Sequence, residues 1–483
     1  MRLKRWIHAG AMVLGFGLLL GGCASPSKTA TGQSLDQLLA DPALHGATVS
    51  LMVRDASSGN TLYQHNPRTR LVPASNLKLL TTAAAMDVLG PHYRFSTQLL
   101  TNGTQQGERL VGNLYLRGLG DPTLQFSDYQ ALAAQLASRG VRQVQGDLVF
   151  DDTWFDAERL GVDWSHDDES TYYGAQISAL TVSPNTDFDA GTVLVTAKAP
   201  VRAGQPVGVE IFPPTDYLQL SNRAVSGPGN TYGINRRHGT NLLQLSGAVA
   251  PGRQSRQLVS VWEPTQLVAN LFEQALAQQG ISVVGRRVIG GASPATATAL
   301  AEHQSAPLQE LITPLLKLSN NNMSEALLKA MGRQTANSGT AAAGTLAVAG
   351  FLKRQGLDAT TLNQVDGSGL SRRNLVSSQT LTDLLLAASK QPWFNAWYNA
   401  LPIAGNRDRM TGGSLRYRLR DTPAANNLHA KTGSMGGVSS LGGYITDAHG
   451  RRLVFSMITN NYVVGGAQVK ALENRVALTL ANW

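Results

Sequence analysis

The chain has 483 residues, 42% of them hydrophobic and 15% charged, with a formal net charge of +9. That length accommodates two or three domains with sizeable cores, and the composition excludes an intrinsically disordered or a membrane-embedded chain. No Lys/Arg-rich run is present, so the charge gives no reason to expect nucleic acid; it reads as a solvated basic face, compatible with an anionic wall or membrane surface.

Arg2, Lys4 and Arg5 precede a mostly apolar stretch from Ile7 to Leu20. That stretch is shorter than the ~20 residues that span a bilayer, so residues 1–22 are predicted to be a signal peptide rather than a transmembrane helix. It ends in Leu20-Gly21-Gly22-Cys23, which looks like a bacterial lipobox: small residues before a Cys suit a lipoprotein signal peptidase, and the Cys23 thiol would take the diacylglyceryl group. Cleavage nearby with Cys23 unmodified is the plainer alternative. Cys23 is the only cysteine, so the chain cannot form an internal disulfide even when exported. Loss of residues 1–22 removes three positive charges and no acids, lowering the net charge from +9 to +6. A periplasmic protein anchored to a membrane through Cys23 is expected, and Ala24 rather than Asp after the Cys favours the outer membrane.

Residues 24–46 read as a tether leading into a short helix near Leu35–Leu39. From Ala47, ATVSLMVRDASSGNTLYQHN reads as two strands with a turn at Ser57–Asn60. Leu71 to Ala74 then opens an apolar helix, Ser75 to Leu89, closed by Gly90-Pro91. From about Arg94 to Val261 short β-like runs such as GNLYLRG and GDLVFDD alternate with turn residues, with one clear helix around Asp128–Arg139. Helical periodicity returns at Glu263–Gln279 and continues at Pro307–Leu318, Asn321–Met331, Thr340–Gln355 and Ser378–Ser389. Strands follow around His429–Lys431, Leu441–Thr446 and Leu453–Thr459, then a helix from Gly466 to Leu480. The strands at the two ends could share one antiparallel sheet with the middle inserted between them.

Three short strings carry chemistry: Ser75-Asn76-Leu77-Lys78, Ser319-Asn320-Asn321 and Lys431-Thr432-Gly433-Ser434. Each is weak alone, because Ser25-Pro26-Ser27-Lys28 also matches S-x-x-K, and Ser58-Gly59-Asn60 and Ser183-Pro184-Asn185 also match S-x-N. On a helix the i, i+3 spacing puts Ser75 and Lys78 on one face. A serine hydroxyl needs a neighbouring base to act as a nucleophile, and a lysine whose pKa is depressed by burial can supply it. The Ser75 N–H at the helix start can serve a developing oxyanion. Lys431 on a strand offers a cation for a terminal carboxylate, Gly433 permits close approach of a substrate backbone, and the Ser434 N–H is a second oxyanion donor. Ser319 and Asn321 could relay a proton and hold a substrate amide. For Ser75, Ser319 and Asn321 the competing reading is helix capping, and for Lys431 an ordinary surface lysine.

The order S-x-x-K, S-x-N, K-T-G is the signature of penicillin-binding proteins and class A β-lactamases. With the longer strings LVPASNLKLLT, YLRGLGDPTL, LSNNNMSEALL, VDGSGLSRRN and HAKTGSMGGVSSLGGYI, the chain from about Ala47 onward resembles the class C low-molecular-mass penicillin-binding proteins, the DacB-type D-alanyl-D-alanine carboxypeptidase/endopeptidases. The 244 positions between Ser75 and Ser319 suit this family, which inserts extra domains there, and not a β-lactamase.

The resemblance implies an α/β (α+β) fold of the penicillin-binding serine transpeptidase type: an antiparallel sheet with helices on both faces, plus inserted β-rich accessory domains. The expected division is a signal peptide at 1–22, a lipidated Cys and tether at 23–46, a discontinuous catalytic domain at 47–98 and 262–483, and the insert at 99–261. It further implies Ser75 as acylated nucleophile, Lys78 as its base, and Ser319 and Asn321 on the opposite wall, with the serine helping protons reach the leaving amine. Lys431 and Thr432 would hold the substrate carboxylate, Gly433 would allow close approach, and the Ser75 and Ser434 N–H groups would form the oxyanion hole. Asp152 and Arg372 are matched to substrate side-chain contacts, while Gly436 stands where some relatives carry a longer polar residue. Peptidoglycan stem peptides are the expected substrates and β-lactams the covalent inhibitors. No cofactor or metal is implied, and the nine His residues form no ligand-spaced cluster. Two alternatives remain: a β-lactam-hydrolysing relative, disfavoured by the long insert and the lack of an evident deacylation glutamate, and a non-catalytic wall-binding lipoprotein. An α/β-hydrolase is disfavoured because no G-x-S-x-G elbow occurs.

Overall fold

The computed structural model describes residues 30–483; the predicted signal peptide and Cys23 lie outside the described residues. Helix α1 (Ala30–Leu39) leads into strands β1 (Thr48–Asp55) and β2 (Thr61–His65). At the other end of the chain lie β3 (His429–Met435), β4 (Val438–Thr446) and β5 (Arg452–Asn460), followed by helix α7 (Gly466–Ala481); α2 (Leu77–Val88), α3 (Leu308–Leu318), α4 (Asn321–Ala336), α5 (Ala341–Arg354) and α6 (Ser378–Ala388) fall between. The five strands form one antiparallel sheet in the order β2-β1-β5-β4-β3, so the last strand of the chain pairs with the first.

Alternation along β5 shows why the sheet needs cover on both faces. Leu453, Phe455 and Met457 pack with Leu35 of α1 and Leu472, Val476 and Leu480 of α7, whereas Val454 and Ile458 join the core of α2 to α6. Successive side chains on a strand point to opposite faces, and here both faces are apolar. Helix α2 is the centre of the second layer: Leu77, Leu79, Leu80 and Ala83 to Ala85 are 0–1% exposed. A helix buried all round must satisfy its polar side chains internally. Thr81 does so by donating to Gly367 O at 2.7 Å, and Thr82 by donating to Lys78 O at 2.6 Å.

The inserted part is β-rich as expected, but its limits differ from the sequence reading. Strand Ser96–Thr101 pairs antiparallel with Thr298–Gln304, closing a five-stranded sheet with strands from 114–118, 148–151 and 287–289. Helix Pro264–Gln278, which the reading placed in the catalytic part, packs in the insert: Phe272 meets Tyr129 and Phe150 edge to face at 6.4 Å. Helical periodicity returns at residue 263, but periodicity does not reveal which core an apolar stripe faces. The insert therefore runs from Ser96 to Gln304 in packing terms. Helix Phe394–Ala400, from which Trp397 Nε1 donates to Thr82 Oγ1 at 2.8 Å, was absent from the sequence reading.

Candidate active site

Ser75 lies in a tight 3-10 turn, Ala74–Asn76, that runs directly into α2. Ala74 is buried with φ +47°, a left-handed conformation that costs energy for a residue with a Cβ and persists only where packing enforces it. The enforcement is visible. Asn460 clamps the preceding Val72 by accepting from its N–H at 2.8 Å and donating to its carbonyl at 3.0 Å, and Ser440 Oγ donates to Pro73 O at 2.6 Å. A Cβ on Gly433 of β3 would sit 2.5 Å from Pro73 O, and one on Gly369 would sit 2.0 Å from Ala74 O. Gly433 thus lets the Ser75 turn dock on the edge strand, a role that stands beside the expected one of admitting a substrate backbone.

Lys78, the second residue of α2, is fully buried, and Nζ donates to Ser75 Oγ at 3.0 Å, Asn321 Oδ1 at 2.7 Å and Ser368 O at 2.7 Å. Burial lowers its pKa from 10.5 to about 7, against the opposing charges of Glu325 and Asp366. A neutral amine keeps two hydrogens and one lone pair. Asn321 Oδ1 and Ser368 O can only accept, so they hold the two hydrogens, and the lone pair is left facing Ser75 Oγ. The hydroxyl is not spent on capping the helix.

Ser319 does not begin a helix. It ends α3 in the left-handed region (φ +63°), and the N-cap of α4 is Asn320, whose side chain accepts from Met323 N at 3.0 Å. Freed from capping, Ser319 Oγ accepts from Lys431 Nζ at 2.8 Å. Asn321 uses its Nδ2 to donate to Tyr173 O of the insert at 2.9 Å, tying the inserted part to Lys78. Lys431 is not the ordinary surface lysine of the competing reading. It is 0% exposed and also donates to Thr432 O at 2.8 Å; burial, and then repulsion from Lys78, pushes its pKa well below the ordinary value. Thr432 Oγ1 lies 2.8 Å from Ser414 Oγ.

These groups meet at a cleft of about 470 Å³, lined on one side by Ser75, Ser319, Asn321 and Ser434. Arg372 and Gly436 line it as well, and Arg372 Nη2 donates to Gly436 O at 2.8 Å. The facing wall comes from the insert: Asp163, Asp167, Asp168, Tyr172 and Tyr173. Asp152 is not brought to the cleft. It is buried, paired with Arg159 at 2.5 Å and accepting from Thr265 Oγ1 at 2.6 Å, an interior support of the insert.

Two supporting carboxylates escaped the sequence reading. Glu325 accepts from Gly367 N and Ser368 N, both at 2.8 Å, and so orients the Ser368 carbonyl that holds Lys78. Burial, then the charge of Asp366, raises its pKa to about 7. Asp366 accepts from Gly369 N at 2.8 Å and Ser371 N at 2.7 Å, shaping the loop that presents Arg372. Both lie in strings that carried the family resemblance, LSNNNMSEALL and VDGSGLSRRN, and those strings were the only available signal.

A helix-start serine beside a buried, depressed lysine, an S-x-N corner and a K-T-G edge strand on a five-stranded sheet define the serine acyl-enzymes of the penicillin-recognising class. Comparison with known proteins narrows this. The chain belongs to the D-Ala-D-Ala carboxypeptidase 3 (S13) family, whose model matches residues 31–483. It is 41% identical over 477 residues to the D-alanyl-D-alanine carboxypeptidase of Actinomadura sp. (strain R39), covering 98% of this chain and 88% of that one. It is 29% identical over 439 residues to D-alanyl-D-alanine carboxypeptidase DacB of Haemophilus influenzae, 88% of each chain. The crystal structure of penicillin binding protein 4 (dacB) from Haemophilus influenzae superposes with a TM-score of 0.82 at 25% identity, over 93% of this chain and 99% of that one. The same protein complexed with a β-lactam gives 0.77, also at 25% identity, over 93% of this chain and all of that one. The chain is accordingly a serine-type D-Ala-D-Ala carboxypeptidase and penicillin-binding protein.

Proposed function

We propose that the enzyme cleaves the D-Ala-D-Ala bond of peptidoglycan stem peptides, and the related cross-link between stems, through an acyl-enzyme on Ser75. The lone pair of Lys78 takes the Ser75 proton as Oγ attacks the carbonyl, and the Ser75 and Ser434 N–H groups receive the oxyanion. The proton passes to the leaving amine by way of Ser319, backed by Lys431, and D-Ala or the cross-linking amine departs. Water then attacks the ester, giving its proton to Lys78, which passes it to Ser75 Oγ as the ester C–O bond breaks, so the serine hydroxyl and the free amine are both restored. The substrate's terminal carboxylate docks at the Thr432 and Ser414 hydroxyls, with Lys431 behind them. The acids of the inserted wall suit a stem-peptide side chain that ends in an amine, and Arg372 suits a carboxylate on the same side chain.

The observation that carries this reading is that two obligate acceptors, Asn321 Oδ1 and Ser368 O, hold the two hydrogens of the neutral Lys78 amine and leave its lone pair to Ser75 Oγ, 3.0 Å away. A fluorescent penicillin tests it: covalent labelling is expected, and labelling that persists in Ser75→Ala overturns the assignment. Release of D-Ala from a pentapeptide, set against cleavage of a cross-linked dimer, separates the two peptidase activities. No helix among the described residues is long and apolar enough to cross a membrane. An exported location with anchoring through Cys23 rests on the lipobox, and palmitate labelling that is lost in Cys23→Ser checks it.

A further inference from the structure

Beside the substrate cleft, in the inserted part, the fold gathers residues that the sequence left scattered. His166 and Glu169 flank a single 3-10 turn, His166–Asp168, and positions three apart on such a turn stand one above the other. His238 arrives from 69 residues further on, in the turn between the antiparallel strands Gly233–Arg236 and Leu242–Ser246. One ligand atom from each of the three lies within 4.8 Å of the others. The two imidazole rings are 4.9 Å apart, and His238 Nδ1 contacts Glu169 Oε2 directly.

The carboxylate is prepared for a fixed role. Glu169 is 7% exposed, and its other oxygen, Oε1, accepts from the buried Arg236 Nη2 at 2.8 Å. A ligating carboxylate is commonly held by such an outer donor, which fixes its orientation. Two imidazoles and one carboxylate are also the donor set of open, three-ligand zinc sites, where the fourth position takes water. A cavity of about 170 Å³ walled by Leu160 and Trp164 lies against the three residues and leaves room for that fourth ligand. The same cavity shares Ser165 and Asp168 with the substrate cleft.

We propose that His166, Glu169 and His238 bind a divalent transition metal, zinc by preference, clamping the 163–174 loop to the 233–246 hairpin. The metal forms no part of the Ser75 chemistry; with water completing its coordination, it sets the position of the inserted wall that faces Ser75. A His-rich, carboxylate-containing site of this kind also accepts Co²⁺, Ni²⁺ and Cu²⁺, which supplies a spectroscopic probe.

The test uses the exported full chain, stripped with EDTA and dialysed. Calorimetric titration with ZnCl₂ is expected to show one saturable site per chain and a rise in melting temperature. Binding is expected to be lost in His166→Ala and in His238→Ala, and kept in a control at an exposed histidine elsewhere, His449→Ala. Co²⁺ added to the unaltered protein is expected to give the intense visible bands of a four- or five-coordinate ion, a readout independent of any variant's folding. Absence of saturable binding, survival of binding in both site variants, or the faint spectrum of solvated Co²⁺ each overturns the proposal. Fluorescent penicillin labelling of the stripped protein is run alongside. Its retention shows that a failed metal site leaves the acyl-enzyme reading intact, and its loss with metal binding intact would count against the latter alone.

Discussion

Lys431 Nζ lies 2.8 Å from Ser319 Oγ, which joins the edge strand to the left-handed residue that ends α3. The bond bridges 112 positions of sequence and places a hydroxyl, backed by an amine, in the cleft that Ser75 lines. If that hydroxyl carries the proton to the leaving amine, Ser319→Ala lowers kcat for D-Ala release by ~10²–10⁴ while KM changes little. Steady-state kinetics on a pentapeptide measures both; a loss smaller than tenfold would remove Ser319 from the proton path.

Acylation requires Lys78 as the free amine, and its pKa is about 7. The rate of penicillin labelling is expected to rise with pH through that value and then level off, and Lys78→Arg to stay inactive throughout. The same shift acts on stability. The folded-state pKa is depressed below that of an unfolded lysine, so between about 7 and 10.5 the unfolded chain binds the extra proton and this group's contribution to stability grows with pH. Below about 7 both states are protonated and the burial penalty is felt in full. The melting temperature of the native enzyme should therefore rise with pH across that window relative to that of Lys78→Met.

Glu325 is expected to tune Lys78 without touching substrate. Its negative charge raises the lysine pKa, so Glu325→Gln moves the acid limb of the labelling profile to lower pH. The amide can accept only one of the Gly367 and Ser368 N–H bonds, and leaving the other unpaired costs about 1–3 kcal/mol. A purely structural residue would lower the melting temperature and leave the profile in place.

Gly433→Ala forces a Cβ to within 2.3 Å of Ser440 Oγ and 2.5 Å of Pro73 O. The serine can rotate, but the backbone carbonyl cannot, so the nucleophile turn must shift. A misplacement of about 1 Å costs ~10²-fold in rate. Stopped-flow acylation is expected to show that loss in a protein that still folds.

Asp152 and Arg372 were matched to the same job, and the structure separates them. Asp152→Asn breaks a buried ion pair with Arg159 and is expected to destabilise by about 3 kcal/mol with KM unchanged. Arg372→Ala removes a cleft-lining cation and is expected to raise KM for stem peptides with little effect on melting. Thermal denaturation paired with kinetics on each variant distinguishes the two; the reverse pattern contradicts the placement.

Local patterns carried much of this protein. Ser75 and Lys78 are three residues apart, so their juxtaposition needs only one helical turn, and the apolar run after them foretold a buried helix. The strand pair at Thr48–His65 and the three strands after His429 were legible from alternation and turn residues, and their shared sheet followed once the middle was read as inserted. By contrast, Ser319 was taken for a helix start because S-N-N resembles a cap, and only the backbone shows that Asn320 takes the cap.

Sequence by itself determined the Ser75–Lys78 pair and the order of the three strings, because spacing within one helical turn and order along the chain need no tertiary contact. Tertiary structure alone decided that Lys78 is desolvated, that Asn321 and Ser368 claim its hydrogens, that Gly433 meets Pro73, and that Asp152 turns inward. It also brought His238 to His166 and Glu169. The physical reason is common to all of these: desolvation and hydrogen-bond partnership are set by whichever distant segment packs overhead, and hydrophobic period carries no address for that segment.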